Sequence, residues 1–207
     1  HHQLEESARG SHRCAGDDVA DRAHQGKAGE QHDEAQPSRD GKMLNITRDT
    51  GELLALLVQT RGAADVLEIG TSNGYSTLWL AEAVKRLGGR VTTIERDAGK
   101  LAMAAANFQR AGLGPWIEQL AGEAGSLLPT LPTAGYQLVF LDSDRQQYQR
   151  WWPEIRRLLA PRGLLVVDNA ISHREEMNDW MAEVAQDPAF LTALVPVGKG
   201  EFLAVRC

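Results

Sequence analysis

From residue 66 onward, short β-branched or leucine-rich runs alternate with longer amphipathic stretches, and this alternation limits the fold more than any other feature. The runs are Val66–Ile69, Val91–Ile94, Ile117–Leu120, Leu138–Leu141 and Leu164–Val167. Apolar runs of this kind, each followed by helix-period sequence, belong to strands buried on both faces of a parallel sheet. Five such units predict an α/β domain, with helices on both faces of a mostly parallel sheet. The last segment, FLTALVPVGKGEFLAVRC, breaks the alternation, because two apolar runs flank Gly198-Lys199-Gly200 with no helix between them. It predicts an antiparallel hairpin that completes a seven-stranded sheet.

With 207 residues the chain is long enough for one well-buried domain and too short for two comfortable ones. Residues 1–42 stand apart. Their only large aliphatic side chains are Leu4 and Val19, they hold no aromatic residue, and they carry His1, His2, His12, His24 and His32. Such a segment buries too little apolar surface to offset its ordering entropy, so it reads as a flexible or tag-derived polar leader. The irregular histidine spacing favours a solvated tail over a metal site. Residues 43–207 are the expected folded domain. The formal charge of −6 supplies no basic field for nucleic acid. Cys14 and Cys207 lie near opposite ends without metal or redox spacing, as suits a reducing cytoplasm. No apolar window is long enough for a membrane span and no signal peptide is recognisable, so the expectation is a cytoplasmic protein with neither membrane nor nucleic-acid partners.

The stretch DVLEIGTSNGYST runs from a strand through a glycine turn into a helix expected to begin near Tyr75. In open α/β sheets, ligands bind outside the carboxyl ends of the strands, and the first strand-to-helix turn is the usual cradle. A dinucleotide site needs G-x-G-x-x-G; counting from Gly70, this chain has Ser72 and Tyr75 where the later glycines belong. What stands here is E-x-G-x-x-x-G, with Glu68 ahead of Gly70 and Gly74. That pattern resembles motif I of the class I S-adenosylmethionine-dependent methyltransferases. Their cofactor carries a sulfonium and an ammonium and no phosphate, so carboxylates beside the loop are favourable. Glu95 ends the second run in VTTIERD, where an acidic side chain can accept two ribose hydroxyls. The third strand leads into AGEAGSLLPTL, and in this fold that turn passes the adenine, near Gly122, Glu123 and Ala124. A plain helix start is the alternative there, and the two are compatible.

The fourth and fifth runs end in FLDSDR and VVDNA. Adjacent parallel strands lie about 4.8 Å apart, so Asp142, Asp168 and Asn169 converge at one edge. Two carboxylates and an amide oxygen form a hard donor set suited to Mg²⁺. The alternative is a helix cap at Asp142 and a simple turn at Asp168-Asn169.

At this point the chain is similar to the cation-dependent O-methyltransferases, the group containing catechol and caffeoyl-CoA O-methyltransferases and bacterial relatives. MLNITRDTGELL, LEIGTSNGYST, IERD, GEA, FLDSDRQQY, LLAPRGLLVVDN and LVPVGKGEFLAVR follow in the expected order from Met43 to the C-terminus. The resemblance implies a Rossmann-like methyltransferase fold and S-adenosyl-L-methionine contacts from Glu68, Gly70, Ser76, Glu95, Ala124 and Asp142. It implies a divalent cation, Mg²⁺, held by Asp142, Asp168 and Asn169, a small hydroxylated acceptor, a homodimer, and a segment around Met43–Thr47 that folds over the cofactor.

Relatives usually have a lysine three residues after the first metal aspartate, taken as the base that removes the acceptor proton. Here that position is Arg145, which stays protonated and cannot act as that base. Two readings of Arg145 stand side by side: an oxyanion stabiliser, or an exposed partner of Asp144. Asp142 joins chemistry to cofactor. His173 is the histidine outside the leader; Ser172-His173-Arg174-Glu175 reads as a capping box, and a helix N-terminus suits a neutral imidazole that accepts a proton. A solvent-facing first-turn residue is its plainer role. Tyr148, Trp151 and Trp152 stand at helical spacing, either lining an aromatic acceptor pocket or, for at least two of them, packing in the core. The function expected is methyl transfer to a hydroxyl of a small, catechol-like acceptor. Its alternatives are a metal-independent methyltransferase and a non-catalytic cofactor-binding protein.

Overall fold

The computed structural model describes residues 45–207. The expectations for the polar leader, its histidines and Cys14 lie outside them, as do Met43 and Leu44. Seven strands form one sheet: β1 (Asp65–Ile69), β2 (Arg90–Glu95), β3 (Ile117–Ala121), β4 (Tyr136–Leu141), β5 (Leu159–Val167), β6 (Phe190–Val195) and β7 (Glu201–Arg206). They are ordered β3-β2-β1-β4-β5-β7-β6. β1 pairs in parallel with β2 and β4, β2 with β3, and β4 with β5; β7 runs antiparallel between β5 and β6. The expected mostly parallel sheet with a C-terminal antiparallel hairpin is therefore what the chain forms.

Alternation along the strands decides which helix covers which face. Val66, Leu138, Phe140, Leu164 and Val166 pack under α1 (Arg48–Arg61), α2 (Tyr75–Lys85) and α3 (Ala98–Ala111). Leu67, Ile69, Val139, Leu141, Leu165 and Val167 pack on the opposite face, under α4 (Ala124–Leu127), α5 (Tyr148–Leu158) and α6 (Arg174–Gln186). The helix ends follow local chemistry. Thr47 caps α1 by accepting from the Thr50 amide at 3.2 Å, and Asp97 caps α3 by accepting from Lys100 at 2.8 Å. Among the described residues, no helix is long and apolar enough to cross a membrane.

Two elements differ from the sequence reading. The helix expected after the third strand is a single turn, Ala124–Leu127, followed by a short turn over Leu128–Thr130 that contains Pro129. A proline has no amide to continue the ladder, and here it cuts the helix short. The fifth strand begins at Leu159 rather than Leu164, running through Pro161-Arg162-Gly163 with an irregular register against β4. Arg162 takes a positive φ of 62°, a local kink that the residues PRG disguise as a loop.

Candidate active site

The sheet reverses its strand order between β1 and β4, and at that switch point the carboxyl ends of three strands stand side by side. The Asp142 amide donates to Ile69 O at 3.1 Å, and the Asp168 amide donates to Leu141 O at 3.0 Å. The turn after β1 is pressed against this edge. Gly70 has φ 108°, and a Cβ there would lie 2.1 Å from Asp142 O. No other residue type fits, because both the backbone conformation and the space exclude a side chain.

Glu68 lies beneath this turn and is fully buried. Its carboxylate accepts from Ser76 Oγ at 2.5 Å, from Thr93 Oγ1 at 2.6 Å and from the Thr77 hydroxyl. Burial pushes its pKa up to about 7, opposed by those three hydroxyls. The carboxylate is sealed under the loop and acts as its support, while Ser76 spends its proton on Glu68.

Glu95 does face the turn. One oxygen accepts from the Ser72 amide at 3.0 Å, the other from the Arg96 and Asp97 amides, each at 3.0 Å. These amides take three of about four lone-pair sites and leave one, on Oε2, for a hydroxyl donor. The Gly122 amide donates to Glu95 O at 2.9 Å, which brings the turn after β3 alongside, with Ala124 buried behind it. The turns that carry Gly70, Glu95, Ala124 and Asp142 thus lie side by side at one end of the sheet. Their common end of the sheet follows from strand register, which the sequence carries in its alternation.

Asp142, Asp168 and Asn169 also come together. Asn169 takes φ 66°, and its Nδ2 lies 3.2 Å from Asp142 Oδ1 and 2.8 Å from Asp168 Oδ2. Among the described residues no three His, Cys, Asp or Glu side chains converge on one point, so a cation here would draw its third side-chain donor from Asn169. The amide hydrogens now occupy the space between the carboxylates where a cation would sit. A half-turn of the amide presents Oδ1 instead, and the set then fits a hard divalent cation. Burial, then the Asp168 charge, raises the Asp142 pKa to about 7; Glu68 adds to this, while Arg145 and Lys199 oppose it. An edge that penalises its own charge in this way is suited to a cation.

The sequence reading missed a third carboxyl. Glu201 is fully buried at the start of β7, next in register to the Val167–Phe202 pair and so opposite Asp168. Thr50 Oγ1 donates to Glu201 Oε1 at 2.9 Å, and Oε2 has no hydrogen-bond partner. Burial, then the Asp168 charge and contact, pushes Glu201 up to about 9. One signal was available: an acid opening an otherwise apolar strand, EFLAV.

Two expectations around the site change, and the aromatic one is met by its core reading. Arg145 does not pair with Asp144. Its Nε donates to Glu176 Oε2 at 3.0 Å, while Asp144 caps the short turn Arg145–Gln147 by accepting from the Gln146 amide at 3.3 Å. The capping box at Ser172 does not form: α6 starts at Arg174, and the Ser172 hydroxyl sits 2.9 Å from His173 Nδ1. His173 instead lies at the rim of a recess of about 400 Å³ beside Ile171, Arg174, Glu176 and Asn178. Tyr148, Trp151 and Trp152 are all core residues, in ring contact with Trp180 or with one another. Tyr148 still serves the site, since its hydroxyl accepts from the Ser143 amide at 2.9 Å and fixes the turn after Asp142.

A switch-point turn supported by a buried acid, with carboxylates where a dinucleotide fold would cradle pyrophosphate, is the architecture of the Rossmann-like methyltransferases. An O-methyltransferase family model matches residues 28–207, and the chain belongs to that family. The match begins within the segment whose composition reads as a leader. The chain is 34% identical over 145 residues to a catechol O-methyltransferase of Niastella koreensis, covering 69% of this chain and 65% of that protein. It is 41% identical over 132 residues to a catechol O-methyltransferase of Mycobacterium tuberculosis, covering 62% of this chain and 58% of that one. The chain thus spans less than two thirds of the length of either relative. Among solved structures it resembles an O-methyltransferase of Streptomyces achromogenes involved in tomaymycin synthesis, in complex with S-adenosylmethionine. That likeness has a TM-score of 0.73 and 27% identity, and covers 93% of this chain and 89% of the other.

Proposed function

We propose that the chain transfers a methyl group from S-adenosyl-L-methionine to a hydroxyl of a small, catechol-like acceptor, with a divalent cation, Mg²⁺, held by Asp142, Asp168 and Asn169. The observation that carries this reading is the convergence of those three side chains on the same edge against which Gly70 presses the glycine turn. S-adenosylmethionine supplies an electrophilic methyl on a sulfonium, and a bound cation lowers the pKa of the acceptor hydroxyl and orients it. Glu95 receives a ribose hydroxyl, and the turn over Gly70–Gly74 brings backbone close to the methionyl part. Asp142 stands between the two halves of the site, so a change there affects donor and acceptor together. Arg145, fixed by Glu176, contributes positive charge near Asp142 and takes up no proton. A homodimer and a cytoplasmic setting belong to the same reading.

A metal-independent methyltransferase is the second reading, favoured by the Asn169 amide, which already satisfies both carboxylates with its own hydrogens. A methyl-transfer assay over a panel of catechols and single-hydroxyl phenols, with Mg²⁺, with Mn²⁺ and with chelator, separates the two. The proposal expects turnover on vicinal diols that is lost with chelator. Turnover indifferent to chelator would select the second reading, and no methyl transfer to any hydroxylated acceptor would reject both.

A further inference from the structure

We propose that Asn107, on α3, is a positioning residue for the methyl donor: it holds the glycine turn in the strained shape that sets Glu95 to receive a ribose hydroxyl. This inference rests on the S-adenosylmethionine part of the function proposed above, and it assigns a role to a helix that carries none of the expected site residues. Three of the five residues from Gly70 to Gly74 have left-handed φ values, 108° at Gly70, 48° at Ser72 and 86° at Gly74. For the glycines this costs little. A serine resists it, because its Cβ crowds the following carbonyl. The turn therefore keeps its shape only through the contacts that pin it.

The sheet pins the near half. The Gly70 and Thr71 amides donate to Ile94 O at 3.0 and 3.2 Å, and the Ser72 amide donates to Glu95 Oε2 at 3.0 Å. The far half is pinned from α3. Asn107 Nδ2 donates to Asn73 O at 2.8 Å, across 34 positions of chain, and Arg110 donates to Asn107 Oδ1 at 2.7 Å. With its oxygen taken by Arg110, the Asn107 amide has its N–H edge committed to the turn. Phe108, the next residue on the helix, closes the same seam, since a Cβ on Gly74 would lie 2.4 Å from Phe108 Cε1. Ser72 is thus held between two anchored neighbours. Released at Asn73, it relaxes toward negative φ, its amide turns away from Glu95 Oε2, and the carboxylate loses one of the bonds that fix it. A ligand then meets a turn that has to be re-formed on binding, and affinity falls by the cost of that ordering.

Calorimetric binding of S-adenosylhomocysteine to the full chain, at a temperature where circular dichroism shows every variant folded, tests this. Asn107→Asp keeps the side-chain shape and removes the N–H that reaches Asn73; it is expected to weaken binding about tenfold. Arg110→Met lets the Asn107 amide turn and is expected to cost less, about threefold. Ser72→Gly removes the strain that Asn107 opposes, so in that background Asn107→Asp is expected to cost about threefold at most. In turnover with catechol and Mg²⁺ the loss is expected in the KM for S-adenosylmethionine rather than in kcat, because the turn binds ground and transition states alike. Unchanged affinity in Asn107→Asp overturns the proposal. So does an equal loss with Ser72 in place and in the Ser72→Gly background, which would mark a general loosening of α3. A wild type that binds S-adenosylhomocysteine but methylates no hydroxylated acceptor rejects the function proposed above and leaves this inference intact; one that does not bind it rejects both.

Discussion

Replacing Glu201 with glutamine is expected to make the protein more stable at pH 8 and to leave it nearly unchanged at pH 5. Glu201 is fully buried, and its pKa rises from 4.5 to about 9 on folding, chiefly through burial and then through Asp168. Below about pH 4.5 both folded and unfolded chains carry the proton. Between there and about pH 9 the unfolded chain releases a proton that the folded chain keeps, so stability falls as pH rises. Each pH unit in that window costs about 1.4 kcal/mol, an upper bound of roughly 5 kcal/mol at pH 8. Proton sharing with Asp168 lowers this figure, and a gain of about 2 kcal/mol or more is expected from the glutamine. The amide retains an oxygen for the Thr50 hydroxyl, which now donates at 2.9 Å. Urea unfolding of both proteins at pH 5 and pH 8, in chelator, measures the effect. A stability difference between variant and wild type that is the same at both pH values would refute the reasoning.

Gly70→Ala is expected to cost about 3 kcal/mol or more, because the residue has φ 108° and its new Cβ meets Asp142 O at 2.1 Å. Gly62→Ala, at φ 62° with open space around it, is expected to cost only about 1 kcal/mol; thermal unfolding compares the two. Asp168→Ala should weaken Mn²⁺ binding in calorimetry by more than tenfold, and unchanged binding would remove Asp168 from the ligand set. His173→Ala is expected to leave the pH–rate profile unchanged, because its ring is engaged by Ser172 at 2.9 Å; a lost basic limb would restore it as a base.

The sheet was legible because its signal is local and repeated: five buried runs, each with a helix-period partner, admit few topologies. Residues that follow the strands share that signal, so Gly70, Glu95, Asp142, Asp168 and Asn169 fall at one end of the sheet by register. The failures share a different cause. The partner of Arg145 is Glu176, 31 positions away on α6, and no periodicity links them. Glu68 reads as a ligand because acids beside glycine loops often are, and its bonds from Ser76, Thr77 and Thr93 follow from side-chain packing that no periodicity shows. Ser172 reads as a cap because its spacing to Glu175 is right. Its hydroxyl turned to His173 instead, a competition between local partners that composition does not rank.

The position of Glu201 also explains why the first helix belongs to the site. α1 carries none of the three proposed ligands, but Thr50 on its first turn donates to Glu201, and Glu201 lies against Asp168. The same turn receives the hairpin loop, since Gly198 fits only by leaving its Cβ position to Thr50 Oγ1. Gly51, one residue on, gives up its own side chain to the Trp79 indole, which fixes α1 on α2 and so on the helix that follows the glycine turn. Three contacts of one helical turn thus link the donor loop to the hairpin that carries Glu201. An unpaired buried carboxylate beside Asp168 would be costly. The Thr50 hydroxyl, together with the proton that burial keeps on Glu201, makes it tolerable, and the edge is left with the two ionisable aspartates that a single divalent cation would neutralise.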